Sequence, residues 1–150
     1  MDVDGVLADG RIYIDANGIE SKAFDAHDGF GIARARDNGI LLAIITGRHS
    51  EAVTVRAGRL KIEEVYQNSF DKISAYAKLK TKYSLNDDEV CFIGDDEFDL
   101  PLLDIVGVSA APPNAIPVVK KRVNFVTTRE GGRGAVRELL DRILKAKGLI

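Results

Sequence analysis

The run Ile40-Leu41-Leu42-Ala43-Ile44-Ile45 is apolar at every position, and Thr46-Gly47-Arg48 follows it at once. An uninterrupted apolar run of this length is typical of a parallel strand that is buried on both faces of its sheet. Glu89-Val90-Cys91-Phe92-Ile93 has the same character and ends at Gly94. Shorter candidate strands lie at residues 64–67, 106–110 and 123–126.

Segments with the apolar spacing of helices separate these strands. One runs from Asp28 to Asn38, with Asp28 as its expected N-cap and Gly39 just beyond its last turn. Because strands and helices alternate, right-handed crossovers are expected. We therefore predict an α/β fold with a Rossmann-like, mainly parallel sheet flanked by helices. The other predicted helices span residues 50–60, 71–83, 100–105 and 134–147.

A predicted β-hairpin at about residues 11–24 interrupts this alternation. The β-prone segments Arg11–Asp15 and Ile19–Phe24 flank Ala16-Asn17-Gly18, and Asn-Gly between such segments is a strong hairpin signal. A two-stranded hairpin alone is only marginally stable in water. It is therefore expected to pack either against its own domain or against another subunit, and the sequence favours neither.

The composition is that of an ordinary globular protein. The 150 residues are 45% hydrophobic and 29% charged, which fits one domain over residues 1–150 and leaves no room for a large cap domain. The 21 Lys and Arg against 23 Asp and Glu leave a net charge of -2, which argues against nucleic acid or an anionic membrane as the main partner. No apolar run approaches the roughly 18 residues of a membrane span and no secretory signal is visible, so we expect a cytoplasmic protein. The single cysteine excludes an intrachain disulfide and a cysteine-based zinc site.

Polar side chains cluster just past the predicted strands, where ligands bind in open α/β sheets. Asp2-Val3-Asp4-Gly5 opens the chain, and Thr46-Gly47-Arg48 follows the 40–45 strand. Gly94-Asp95-Asp96-Glu97-Phe98-Asp99 follows the 89–93 strand, and Lys72 begins the helix after residues 64–67. Asp and Gly are common in loops for turn reasons alone, so each segment by itself is weak evidence. Together they predict that four loops bring acids, a hydroxyl and an amine to one rim.

Carboxylates gathered at such a rim need a cation. Two of them about 4 Å apart repel by roughly 4 kcal/mol at an effective dielectric constant of 20. Oxygen-only ligands suit Mg²⁺, which also binds phosphate oxygens. The alternative is that these acids are solvated and never meet, and Asp99 could simply cap the 100–105 helix. The candidate ligands are Asp2, Asp4, Asp95, Asp96 and Asp99.

The four segments that are predicted to meet at one rim, which contain Asp2, Thr46, Lys72 and Asp95, resemble in this order the four motifs of the haloacid dehalogenase superfamily of phosphohydrolases. The resemblance spans nearly the whole chain. Two longer segments narrow the resemblance to one branch of the superfamily. They are Lys22-Ala23-Phe24-Asp25-Ala26-His27-Asp28-Gly29-Phe30-Gly31-Ile32 and Gly131-Gly132-Arg133-Gly134-Ala135-Val136-Arg137-Glu138. They are similar to the small, capless branch that hydrolyses sugar-acid phosphates, 3-deoxy-D-manno-octulosonate 8-phosphate among them.

The resemblance implies a catalytic role for four residues. Asp2 would be the nucleophile that forms an aspartyl-phosphate, and Asp4 would be the general acid and base. Thr46 and Lys72 would bind the phosphoryl group. The alternatives are that Thr46 is only a β-branched strand end and that Lys72 is a solvated helix residue, as most lysines are.

The resemblance also implies a metal site and a substrate site. Mg²⁺ would be held by Asp2, the backbone carbonyl of Asp4 and Asp95, with Asp96 or Asp99 in support. The substrate would carry a phosphate and a keto-acid carboxylate, and arginine suits the latter. A nine-carbon keto-acid phosphate is the alternative substrate, but its enzymes carry an acid at the position of Arg48. The residues implied to contact substrate are Gly47, Arg48 and Arg56. Arg133, in a Gly-rich loop before the last helix, is a further candidate that either reaches the site or only caps locally, and Arg59 is equally well a solvated side chain.

Members of this branch are tetramers in which the hairpin builds the interface and neighbouring subunits complete the site. By resemblance we expect a homotetramer here, with Arg56 reaching into a neighbour's site. The superfamily usually has an apolar strand before its first aspartate, whereas only Met1 precedes Asp2. We therefore expect a version extended upstream to be more stable and more active.

Two other function classes remain open at this point. A phosphoacceptor signalling module also combines acids, a Thr and a Lys, but its phosphorylated Asp stands alone after a middle strand. A catalytically idle scaffold domain is the other, and the presence of Asp2, Asp4, Lys72 and Asp95 argues against it. Of the remaining polar residues, we expect Cys91 to be a core residue and Asn114 to shape a loop. His27 and His49 are expected to lie either on the surface or just behind the residues of the site.

Overall fold

The computed structural model describes all 150 residues and has the alternating α/β order expected from the sequence. The strands are β1 (Tyr13–Ile14), β2 (Glu20–Ser21), β3 (Ala43–Ile45), β4 (Glu64–Tyr66), β5 (Cys91–Ile93), β6 (Val108–Ala111) and β7 (Phe125–Val126). The helices are α1 (Ala26–Asp37), α2 (Glu51–Leu60), α3 (Lys72–Tyr83), α4 (Leu100–Leu103), α5 (Pro117–Lys120) and α6 (Ala135–Ala146). No helix combines the length and the apolar character needed to span a membrane.

The main strands pair in parallel, as predicted. β3 pairs with β4, and β5, β6 and β7 form a second parallel group. Met1 and Asp2 lie between the two groups. The Met1 amine donates to the Ala43 carbonyl, Ile45 N–H donates to the Met1 carbonyl, and Asp2 N–H donates to the Ile93 carbonyl. The backbone just before the first acidic loop therefore occupies the centre of the parallel arrangement.

Alternate strand residues face two separate apolar clusters, one on each side of the sheet. Ile44 and Ile93 pack with α1, α2 and α6, whereas Ile45 and Phe92 pack with α3, α4 and α5. Burial on both faces is the reason that these strands read as continuous apolar runs.

Most observed elements are one to three residues shorter than predicted at an end, but α1 begins two residues earlier and β6 ends one residue later. The short helix α5 was not predicted, and one predicted cap is wrong. Asp25, not Asp28, is the N-cap of α1, since its side chain accepts a hydrogen bond from His27 N–H. Asp28 lies inside the first turn, is fully buried, and accepts bonds from Gly134 N–H (3.2 Å) and Arg137 N–H (2.7 Å). It therefore caps α6 from a neighbouring helix.

The hairpin is confirmed, with Tyr13 opposite Ser21 and Ile14 opposite Glu20. Its turn is closed by Asp15, whose carboxylate accepts bonds from Asn17 N–H and Ile19 N–H. Several apolar side chains of the hairpin face solvent in the single chain, while its polar residues contact the body of the domain. The exposed apolar residues are Ile12, Tyr13, Ile14 and Ile19.

Candidate active site

A cavity of about 310 Å³ lies at the carboxyl ends of the parallel strands. All four predicted loops contribute to it, because parallel strands end at the same edge of a sheet. The cavity is lined by Asp2, Asp4, Gly5, Gly10, Thr46, Gly47, Arg48, Phe70, Lys72, Asp95, Asp96, Phe98 and Asp99. The expectation that the acidic segments meet is therefore confirmed, and the alternative of separately solvated acids is wrong for Asp2, Asp95 and Asp99.

Asp2 is held by both its backbone and its side chain. Its N–H joins the sheet through Ile93, and one carboxylate oxygen accepts Val3 N–H at 2.7 Å. The other oxygen lies 3.0 Å from the Lys72 ammonium. Burial raises the pKa of Asp2, and the Lys72 charge opposes that shift. The carboxylate is thus fixed at the cavity floor and faces a single protein cation.

Lys72 is a buried cation, so its alternative as a solvated helix residue is wrong. Its side chain is 3% exposed and its ammonium contacts Asp2 and Asp99. The first turn of α3 is oriented by Asp71, which caps it through Ser74 N–H. Burial alone would lower the pKa of Lys72, but the carboxylates of Asp2 and Asp99 raise it, which keeps the amine protonated.

Asp99 organises the loop that carries Asp95 and Asp96. One of its oxygens accepts Asp95 N–H at 2.8 Å and Asp96 N–H at 3.1 Å, and the other binds Lys72. Its side chain makes no capping bond to α4, so the alternative role as a simple helix cap is wrong.

One carboxylate oxygen from each of Asp2, Asp95 and Asp99 lies within 4.8 Å of the others. Burial and the charges of Asp2 and Asp99 raise the pKa of Asp95 to about 8. Lys72 can offset only part of this negative charge, so the cluster has the electrostatics and the oxygen donors of a hard divalent cation site. Asp4 adds a buried carboxylate oxygen that has no hydrogen-bond partner.

Gly5 lets the first loop approach Asp95 closely. Its φ is +80°, a conformation that L side chains rarely adopt, and a Cβ there would collide with the Asp95 carboxylate. The turn is also held by Asn114, whose amide nitrogen donates to the Gly5 carbonyl (2.8 Å) and whose amide oxygen accepts Gly131 N–H (2.7 Å). Asn114 therefore ties three loops together, in keeping with its expected part in shaping a loop.

Lys22 is a residue beside the candidate site that the sequence motifs did not single out. Its side chain is only 1% exposed, and its ammonium lies 2.5 Å from Asp4 Oδ1 and 3.0 Å from Glu20. Glu20 in turn binds Arg48 at 2.6 Å. The sequence signal that could have identified Lys22 is its spacing from Glu20. Residues two apart on a strand face the same side, so the two side chains are expected to lie together. These ion pairs fasten the hairpin to the rim of its own cavity.

Thr46 and Gly47 form the second loop. Thr46 is buried at the end of β3, where its N–H donates to the Tyr66 carbonyl and its carbonyl accepts Ser69 N–H. Both residues line the cavity beside Lys72.

The remaining predicted substrate residues lie outside this cavity in the single chain. Arg56 donates to the Asp25 carbonyl at 3.1 Å and its guanidinium stacks 5.7 Å from the Phe24 ring centroid. Arg133 is exposed and lies 3.7 Å from Glu130. Arg59 is exposed on α2.

The other polar residues follow their expected placement. Cys91 is half-buried against the core, and burial raises the pKa of its thiol to about 11. His27 and His49 are exposed. A larger surface groove of about 540 Å³ lies beside α6, but its carboxylates are already bound, with Asp141 paired to Arg137.

Comparison with known proteins agrees with this geometry. Residues 51–139 match the family model described as haloacid dehalogenase-like hydrolase. The 3-deoxy-D-manno-octulosonate 8-phosphate phosphatase of Escherichia coli strain K12 is 44% identical over 148 residues, which cover 99% of this chain and 79% of that protein.

Two solved structures have nearly the same fold. The phosphatase of the same name from Yersinia pestis superimposes with a TM-score of 0.97 at 42% identity, covering 99% of this chain and 80% of that one. The one from Moraxella catarrhalis, in complex with magnesium ion, phosphate ion and KDO, has a TM-score of 0.96 at 40% identity, with coverages of 99% and 86%. The chain therefore belongs to the haloacid dehalogenase-like hydrolases, in the branch that contains the 3-deoxy-D-manno-octulosonate 8-phosphate phosphatases.

Proposed function

We propose that this chain is a Mg²⁺-dependent phosphatase for 3-deoxy-D-manno-octulosonate 8-phosphate, acting through an aspartyl-phosphate. The observation that carries the proposal is the buried cluster of Asp2, Asp95 and Asp99 around a single lysine. Such a cluster suits a divalent cation, and with that cation it would attract the phosphoryl dianion that a bare carboxylate would repel.

The residues present fit the metal. Asp2, Asp95 and the backbone carbonyl of Asp4 would hold Mg²⁺, with Asp96 or Asp99 in support. When bound, the ion supplies positive charge that neutralises the carboxylates and the phosphate oxygens.

The protein's own groups divide the reaction between them. A carboxylate oxygen of Asp2 attacks phosphorus, the bond from phosphorus to the sugar oxygen breaks, and Asp4 gives its proton to that oxygen. Asp4 then takes a proton from the water that attacks the aspartyl-phosphate, which releases phosphate and restores the Asp2 carboxylate. Lys72 and Thr46 would contact the phosphoryl oxygens as charge and hydroxyl donor.

The choice of an eight-carbon substrate rests on the relatives of the same name and on Arg48. The E. coli and Y. pestis proteins carry that substrate in their names. Arg48 lines the cavity, where a nine-carbon enzyme of this branch carries an acid. A nine-carbon keto-acid phosphate is the alternative.

We also propose that residues 1–150 form one catalytic domain that works as a cytoplasmic homotetramer. The hairpin's exposed apolar residues support an interface. Arg56 and Arg133, which lie outside their own cavity, would then contribute to substrate binding at a neighbour's site or after local movement.

A phosphate-release assay tests the proposal. We expect turnover of the eight-carbon substrate with Mg²⁺ and none with a chelator present. Asp2→Asn should abolish release while leaving the circular dichroism spectrum unchanged, because an amide can still accept the bond from Val3 N–H but cannot attack phosphorus.

Asp37→Asn is the matched control, since Asp37 is an exposed acid on α1 and should behave as wild type. Wild-type turnover by Asp2→Asn would overturn the assignment. A stable phosphoprotein without turnover would instead identify a phosphoacceptor module, and inactivity on every phosphate ester would identify an idle scaffold.

A further inference from the structure

Two exposed aromatic rings stand at the mouth of the acidic cavity. Phe70 is 59% exposed and Phe98 is 61% exposed. Their ring centroids are 5.8 Å apart and the planes meet at 70°, which is the edge-to-face geometry that aromatic pairs favour. Both line the cavity that holds Asp2 and Lys72.

A buried ion pair beneath the two rings fixes the position of the backbone that carries each ring. Phe70 comes two residues before Lys72, and Phe98 comes directly before Asp99. Because Lys72 and Asp99 form a buried ion pair, the backbone segments that carry the two rings are held side by side. The backbone beside each ring is therefore anchored to the buried part of the site.

Gly47 provides the surface on which one ring rests. A Cβ at this position would lie 3.0 Å from Cδ1 of Phe70, closer than ordinary van der Waals contact. Glycine at position 47 thus lets the Phe70 ring lie against the loop that also carries Thr46.

The cavity accordingly has a charged floor and an aromatic wall. Apart from these two rings, its lining is Asp, Gly, Thr, Arg and Lys. A phosphate ester has the matching division, since its phosphoryl group is charged and its carbon skeleton presents C–H groups. The other exposed apolar side chains, such as Ile14, lie away from this cavity.

We propose that Phe70 and Phe98 form a specificity wall that packs against the C–H face of the substrate's carbon skeleton, next to the phosphate. This inference rests on the proposed function. The occupant is the substrate because the rings and the phosphate-binding groups line one continuous cavity. The rings act on selection among phosphate esters and take no part in the bond-breaking steps.

Steady-state kinetics on two substrates test the wall. Phe70→Ser, Phe98→Ser and the double variant are compared on 3-deoxy-D-manno-octulosonate 8-phosphate and on acetyl phosphate, whose two-carbon leaving group is too small to reach far along a wall. We expect each single change to lower kcat/KM for the sugar-acid phosphate about tenfold, mainly through KM, and to alter that for acetyl phosphate less than twofold. Phe98→Leu should recover part of the loss, because leucine restores apolar contact.

Val55→Ser is the control, since Val55 is an exposed apolar residue on α2. Equal losses on both substrates, or no loss on either, would overturn the wall. A changed sedimentation coefficient together with equal losses would overturn it in favour of an interface with a second copy. Failure of the wild-type chain to release phosphate from either substrate would overturn the proposed function, and this inference with it.

Discussion

Among single residues, Lys22 combines a charge with a side chain that is only 1% exposed. A buried ammonium is stable only when carboxylates surround it, and Asp4 and Glu20 do so here. Its contact with Asp4 leaves one Asp4 oxygen fixed and the other buried without a partner. Lys22 therefore positions the carboxyl group that we propose as the general acid and base.

Replacing Lys22 by methionine tests this positioning. We expect kcat to fall about 10- to 100-fold, because Asp4 loses the group that orients it and small misplacements of a catalytic group have effects of that size. KM for the substrate should change less than threefold. Steady-state kinetics check this, and Lys78→Met, on the exposed face of α3, is the matched control. A variant in which only KM changes would show that Lys22 does not position Asp4.

At the scale of elements, α6 depends on α1 for the start of its first turn. Gly134 precedes α6 and has no side chain with which to cap it. Asp28 supplies the missing acceptor through Gly134 N–H and Arg137 N–H. The two helices are thereby joined by hydrogen bonds as well as by apolar packing.

Removing the Asp28 carboxyl group should destabilise the fold. We expect Asp28→Ala to lower the free energy of unfolding by about 1–3 kcal/mol, because two buried N–H groups lose their acceptor. Asp28→Asn should lose less stability, since the amide oxygen of asparagine can still accept a hydrogen bond from these N–H groups. Urea unfolding measures both, with Asp37→Asn as an exposed control.

The pH dependence of this comparison has a definite sign. Burial raises the pKa of Asp28 above its ordinary 3.8, although two backbone N–H bonds oppose the shift. The contribution of Asp28 to the free energy of unfolding is therefore greatest below the pKa that Asp28 has in the unfolded chain. It decreases as the pH rises towards the higher pKa that Asp28 has in the folded chain. Asp28→Asn lacks that slope, so the stability advantage of wild type over it should narrow as pH rises above 3.8. An advantage that stays constant with pH would contradict the assigned shift.

Over the whole molecule, the acid cluster joins segments that are far apart in the chain. Asp2 belongs to the centre of the parallel strands, whereas Asp95 and Asp99 follow β5. Without a cation, their mutual repulsion opposes the packing of these segments. Metal binding should therefore stabilise the entire fold and not only the loop that carries the ligands.

Mg²⁺ should raise the unfolding temperature of the wild-type chain. At a concentration 100 times the dissociation constant, the expected gain is about 2.7 kcal/mol. Above about pH 8, where Asp95 is ionised without metal, Asp95→Asn should be more stable than metal-free wild type by about 1–3 kcal/mol, because one of several repelling charges is gone. Its unfolding temperature should not respond to Mg²⁺. Thermal unfolding with chelator or Mg²⁺ checks both, and an unchanged response in Asp95→Asn would exclude Asp95 as a ligand.

Assembly is the other property of the whole molecule. Ile14 is 65% exposed in the single chain, so Ile14→Glu should leave the stability of an isolated subunit within about 0.5 kcal/mol. If the hairpin forms the proposed interface, the same change should dissociate the oligomer. Sedimentation velocity measures this, with Val118→Glu on α5 as control. A fully active wild-type monomer would rule out the tetramer.

The order of strands and helices, apart from the short helix α5, and the four acidic or polar loops could be predicted from the sequence. Strands buried on both faces are apolar at successive positions, as residues 43–45 and 91–93 are, and the polar residues directly after them must lie at one edge of a parallel sheet. The meeting of Asp2 with Asp95 followed from that rule together with the family motifs.

The sequence by itself thus determined which elements form and which of their ends carry the chemistry, since both depend on residues that are near one another in the chain. Only the tertiary structure decided that Lys22 is buried against Asp4, that Asp28 caps a different helix, and that Phe70 stands beside Phe98. Each of these contacts joins segments that are distant in sequence. The stabilising energy of each contact comes from burial and from a partner that local sequence patterns do not specify. The contact therefore forms only once the chain has packed.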